Sequence, residues 1–190
     1  MTDAAIVLES QLRECYGRVV YAHKTHEKCA DLLLARHKRI KFWQIVLSAL
    51  VTGGILTSFV GDLKIVATII SAALSTVLLT LNSYTKDYDL GEIAQKHRQA
   101  AIDIWLVREK YLSLLTDLRA GSGPLEKVRE DRDALLAELH GAYSGAPSTD
   151  AKGYKMAQEA LTKLEDMTFS DEEIDRLLPN ALKKLHVSGR

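Results

Sequence analysis

Residues 42–60 contain no Asp, Glu, Lys, Arg or His, and residues 65–81 contain none either. Only Gly61, Asp62, Leu63 and Lys64 stand between the two blocks. A helix that crosses the hydrocarbon of a bilayer needs about 17–25 predominantly apolar residues, and both blocks reach that length. A long helix at the surface of a soluble core would show a charged face. Here the polar residues are Ser, Thr, one Gln and Gly. The flanks suit a membrane boundary. HKRIKFW places basic residues and Trp43 before the first block, and NSYTKDY places Tyr84 and Tyr88 after the second. The pattern predicts an all-α membrane protein, a long antiparallel two-helix hairpin crossing the bilayer at about 42–60 and 65–81. The connection is too short to hold a domain.

Charge sets the orientation. Lys24, Lys28, Arg36, Lys38, Arg39 and Lys41 precede the first block, and Lys86, Lys96 and Arg98 follow the second. The connection carries Lys64 alone. The excess of basic residues therefore places both long flanks, and both termini, in the cytoplasm, with residues 61–64 on the far side. The chain holds 25 basic and 25 acidic residues, so no overall field draws it to nucleic acid, and no direct nucleic-acid contact is expected. Cys15 and Cys29 lack the spacing of a disulfide framework, which fits a reducing compartment. MTDAAIVLES has neither a basic n-region nor a sufficient apolar run, so it is not expected to act as a signal peptide.

Both flanks carry a seam. Ala5, Leu8, Leu12, Cys15, Val19, Ala22, His26, Cys29 and Leu33 follow an alternation of three and four. So do Leu90, Ala94, His97, Ala101, Ile104, Arg108, Tyr111, Leu115 and Leu118. That is coiled-coil spacing. With the tip of the hairpin near residues 62 and 63, facing residues should have numbers summing to roughly 125. Residues 4–60 and 64–118 then read as two continuous helices, each ~80 Å long at ~1.5 Å per residue. Together they form a first unit, residues 1–120, with cytoplasmic coiled-coil arms.

AGSGP closes the second arm, and residues 121–190 form a cytoplasmic group of short helices. Pro124 opens a helix that Gly141 is expected to end. A loop rich in Gly, Ser and Pro follows, then a helix over 154–166. Ser170 and Glu173 make a capping box for the last helix, which Pro179 stops.

Few constellations could carry chemistry. His23, His26 and Cys29 lie three residues apart, and the antiparallel register brings His97 to His26. These are zinc-ligand types, so His26, Cys29 and His97 are metal candidates, although positions 23 and 29 diverge around the helix. Packing within the seam is the plainer reading, and no metal or cofactor is expected. Trp105, Arg108, Glu109 and Tyr111 form a second group, read as structural. An Arg in a buried seam needs a carboxylate such as Glu14 or Glu109, and its removal would cost on the order of 3–5 kcal/mol. No nucleophile–base pair and no phosphate-binding glycine loop is present, so catalysis is not expected.

Within the spans, Ser48, Thr52, Gly53, Gly54, Thr57 and Ser58 lie in the first, with small residues four apart at 49/53, 53/57 and 54/58. Thr68, Ser71, Ala72, Ser75, Thr76 and Thr80 lie to one side of the second. Small residues let spanning helices approach closely. These positions serve either helix packing and oligomer contact or a hydroxyl-lined pore. Without an ionisable residue in either span, a proton relay is disfavoured.

Taken in order, LSALVTGGIL, YTKDYD, KHRQAAIDIWLVREKYLSLLTDL and GAPSTDAKGYKMAQEAL…TFSDEEIDRLLP resemble the SLATT family, the SMODS and SLOG-associating two-transmembrane effector domains, over about residues 12–185. The resemblance implies an inner-membrane effector of a prokaryotic conflict (anti-phage) system. Such an effector would oligomerise and form a pore or disrupt the membrane, causing abortive infection. It also implies a trigger from a separately encoded nucleotide-producing or nucleotide-sensing protein. A non-conducting scaffold anchoring a partner enzyme is the alternative.

Overall fold

A computed structural model describes residues 2–59, 64–164 and 166–184, with the Ser58 side chain excluded. The expected tip of the hairpin, near residues 62 and 63, lies outside the described residues. Among the described residues six α-helices follow one another: α1 (Asp3–Ser58), α2 (Lys64–Asp87), α3 (Leu90–Ala120), α4 (Leu125–Ser144), α5 (Ala151–Thr162) and α6 (Asp171–Leu177). A short 3-10 turn, Asn180–Leu182, comes last, and there is no strand among the described residues.

The first arm is one unbroken helix of 56 residues, α1, about 84 Å long at ~1.5 Å per residue. The second arm is not. Where one continuous helix was expected, Tyr88 and Asp89 leave the helical conformation and divide the arm into α2 and α3. The cause is local: the Asp89 carboxylate accepts from the backbone N–H groups of Gly91 and Glu92, at 2.9 and 3.1 Å, and so caps a new helix. Those bonds, first that from Glu92, hold Asp89 below the usual carboxylate range.

α1 runs antiparallel to α2 along its apolar half and to α3 along its other half. His26 meets His97, Gln44 meets Asn82, and Gly54 faces Ser71. The expected register therefore holds from the arms to the apolar end. At the membrane-distal end the core gathers Leu8, Leu12 and Val19 of α1, Ile104, Val107, Tyr111, Leu114 and Leu118 of α3, and Val128 and Leu135 of α4. Leu12, Val19, Ile104 and Tyr111 are fully buried there. Burial of each such side chain contributes roughly 1.5–3 kcal/mol.

Two seam positions differ from the even alternation. Val107 and Leu114 are buried, whereas Arg108 and Leu115 are only half-buried beside them. The reason is α4, which packs on α3 and turns the buried stripe of α3 toward Val128 and Leu135.

Gly121, at φ +70°, closes α3 in the left-handed conformation that glycine adopts without a Cβ clash. α4 then continues through Gly141 to Ser144 instead of stopping at that glycine. α5 starts earlier than expected, at Ala151, because the Asp150 side chain accepts from Gly153 N–H at 2.6 Å and caps it. The Ser170–Glu173 capping box is present at the start of α6.

Candidate functional site

The apolar halves of α1 and α2 bury almost nothing in their own chain. Of the most apolar 18-residue stretch in each arm, 6% of the positions are buried. Phe42, Ile45, Phe59, Ile65, Ile69 and Leu79 are all exposed. A core helix of a soluble protein would be covered, whereas a bilayer accepts this surface directly.

The hairpin is held at one end by a polar clasp. Gln44 Nε2 donates to Asn82 Oδ1 at 2.9 Å and to Thr85 Oγ1 at 3.1 Å. The sequence reading did not single out Gln44, although a lone amide in an apolar run was the available signal. Next to it, Arg36 donates to the Tyr84 hydroxyl at 3.2 Å, and Tyr84 stacks on Tyr88.

Further into the apolar half, most hydroxyls turn back on their own helix. Ser48 donates to Gln44 O, Thr52 to Ser48 O, Thr57 to Gly54 O, Thr68 to Lys64 O and Thr76 to Ala72 O, at 2.7–3.0 Å. These residues and Ser75 are exposed, and Thr68 and Ser75 line a groove with Ile55 of α1. Gly53 likewise faces open space. Gly54 and Ser71 make the close approach between the two helices. A Cβ built on Gly54 would stand 2.2 Å from Ser71 Oγ. Ser71 is 5% exposed, and its hydroxyl has no hydrogen-bond partner among the described residues. The Ser58 side chain lies outside what is described.

The arms meet at a histidine pair. His26 Nδ1 and His97 Nδ1 are 3.0 Å apart, and His23 Nδ1 lies 2.9 Å from the carbonyl of Ala101. Burial, and then the neighbouring His97 and His23, push His26 down to about 4. Burial also lowers His97. Cys29 turns elsewhere: its Sγ lies 3.9 Å from Asp150 Oδ1 and packs against Gly153. Burial pushes that thiol up, away from the thiolate a metal would require. Among the described residues, no three His, Cys, Asp or Glu side chains converge on one point.

The other expected group divides. Tyr111 is fully buried, and burial, then the Cys15 thiol, push its hydroxyl up to about 12. Trp105 is 44% exposed and lies outside the seam. Arg108 flanks the seam, paired with its neighbour Glu109 and touching Met167 Sδ at 3.6 Å. Glu14 pairs with Arg18 instead. Lys24, read in the sequence only as one of the basic residues before the first span, is buried here. It bridges Glu27 and Asp166 at 2.9 and 2.8 Å and ties the segment after α5 to α1. Burial alone would lower Lys24, but those two carboxylates outweigh it and raise it.

Two bilayer-length helices with bare apolar surfaces, joined to a packed helical body, define a two-span membrane protein. Residues 8–173 match the SMODS and SLOG-associating 2TM effector domain family 4. The chain belongs to this family. No curated protein and no solved structure matches it.

Proposed function

We propose that the chain is an inner-membrane effector of a conflict (anti-phage) system that assembles into oligomers and opens a pathway through the bilayer. The helices of its body, with both termini in the cytoplasm, receive a signal from a separately encoded nucleotide-producing or nucleotide-sensing partner. Host death or arrest would follow as abortive infection. No catalytic step and no cofactor is required.

The observation that carries this reading is the exposure of the hydroxyls. Ser48, Thr52, Thr68, Ser75 and Thr76 are exposed, and Thr68 and Ser75 line a groove beside the contact of Gly54 with Ser71. Self-packing of the hairpin uses Gly54 and Ser71 and leaves that small, polar surface for other copies or for water. The unbroken α1 supports the same reading, since a rigid helix carries a displacement of the body directly into the span.

Ion flux from liposomes holding the purified protein tests this, with and without the triggering partner. Flux that appears only with the trigger is expected. Membrane insertion and partner recruitment without permeability under any trigger would instead support a scaffold that anchors a partner enzyme.

A further inference from the structure

Most cations of the helical body are engaged by carboxylates. Arg18 pairs with Glu14, Arg98 with Asp31, Lys110 with Glu138 and Arg119 with Glu9. Lys28, Lys155, Arg176 and Lys183 are not, and neither are the clustered Arg36, Lys38, Arg39 and Lys41. Among the described residues, none of the clustered four has a carboxylate within ion-pair distance. They occupy the turns of α1 just before the apolar half. At ~1.5 Å per residue, Arg39 and Arg36 stand about 5 and 9 Å from Phe42 along the helix axis, which is the depth of a headgroup layer.

Beside them a cavity of about 470 Å³ opens between α1, α3 and the turn leading into α5. Arg36, Arg39, Lys152 and Ser148 form much of its polar wall, and Leu33 and Ile93 lie on its apolar wall. Lys152 also has no carboxylate within ion-pair distance among the described residues, although it comes from a different part of the chain. The carboxylate on the wall, Asp150, is occupied in capping α5 through Gly153 N–H. Three cations from two distant segments thus border one amphipathic cavity that runs from headgroup depth at Arg39 to the level of Cys29, about 20 Å before Phe42 along α1.

We propose that this cavity binds the phosphate of an anionic phospholipid headgroup, with Arg36, Arg39 and Lys152 as its cationic ligands. Ser148 donates a hydroxyl hydrogen bond, and Leu33 and Ile93 cover the glycerol. The bound lipid ties the start of α5 to the stretch of α1 that precedes the span. The inference rests on membrane placement of the hairpin and is independent of whether the protein conducts.

The test uses the full chain in an uncharged detergent, read by thermal melting and by native mass spectrometry. Added phosphatidylglycerol should raise the melting temperature and remain bound, whereas phosphatidylcholine and inorganic phosphate should do neither. Lys152→Gln and Arg39→Gln should each weaken phosphatidylglycerol binding roughly fivefold, the worth of one cation near a membrane surface. Lys155→Gln, which is exposed and outside the cavity, should leave binding unchanged. Because Lys152 is exposed, its variant is expected to fold. Equal phosphatidylglycerol binding by the wild type and Lys152→Gln would overturn the proposal. So would a stabilisation that inorganic phosphate reproduces in full, which would make this a site for soluble anions.

Discussion

His26 and His97 face each other across the arms with their Nδ1 atoms 3.0 Å apart. At that distance one nitrogen donates and the other accepts, so the accepting ring must be neutral and the bond is lost when both rings are protonated. His26 is held down to about 4, against 6.5 for an unperturbed histidine. The unfolded chain therefore binds more protons between these values, and stability falls as pH drops from about 6.5 towards 4. His23 and Asp150 are the other titratable groups acting on the pair. Melting temperature measured across that window should decline with acid, and His26→Gln should flatten the decline. Asp89 and Asp166 titrate below the usual carboxylate range, so their losses come at lower pH. An unchanged slope in His26→Gln would remove the pair from the account of acid stability.

α5 touches α1 where Gly153 meets Cys29. A Cβ on Gly153 would lie 2.3 Å from the buried Sγ. Gly153→Ala is expected to cost about 1–3 kcal/mol through overpacking. Adding Cys29→Ala should recover much of that loss by making room for the new methyl. Denaturant melts of the two single variants and the double variant measure the coupling.

Much of this architecture was legible because the arms carry two independent periodic patterns that must meet about one tip. The spacing that places His26 in one seam and His97 in the other was enough to pair them. The seam at Arg108 was less legible. Ile104, Val107, Tyr111, Leu114 and Leu118 satisfy the spacing of three and four as well as the even alternation through Arg108 and Leu115 does. Contact with α4 decides between them, and that contact is not local in sequence. The break at Tyr88 did have a local signal, Asp89 followed three residues later by Glu92, but the longer seam masked it. Gly141 misled in the opposite direction. A glycine can remain inside a helix when the neighbouring turns are good helix formers, at a cost of ~1 kcal/mol.

Arg108→Ala shows the consequence of that correction. In a buried seam it would strand a carboxylate, but here the Arg108 side chain is 16% exposed and its partner Glu109 is 36% exposed and able to rehydrate. The expected loss is therefore about 0–1 kcal/mol. Denaturant titration of the purified variant measures it. A loss of several kcal/mol would show that Arg108 is buried in the assembled protein.

Gly54 should respond in a graded way. In Gly54→Ala the new methyl meets only the Ser71 hydroxyl, which can rotate, since Ser71 Cβ would remain 3.5 Å away. That variant should lose less than ~1 kcal/mol, whereas Gly54→Val should force the helices apart and lose about 1–3 kcal/mol. Thermal melts in detergent rank the two. Equal and large losses would mean that Ser71 has no room to rotate.

The orientation of the hairpin is tested most directly by labelling single cysteines in spheroplasts with a membrane-impermeant maleimide. Cys15 and Cys29 are first replaced by Ala, and one cysteine is placed at Lys64 or at Ser148. The hairpin predicts that Lys64→Cys is labelled on intact spheroplasts and that Ser148→Cys is labelled only after the membrane is permeabilised. Labelling of Ser148→Cys on intact spheroplasts, with Lys64→Cys protected, would contradict the cytoplasmic placement of the helical body and the route by which a signal is proposed to reach it.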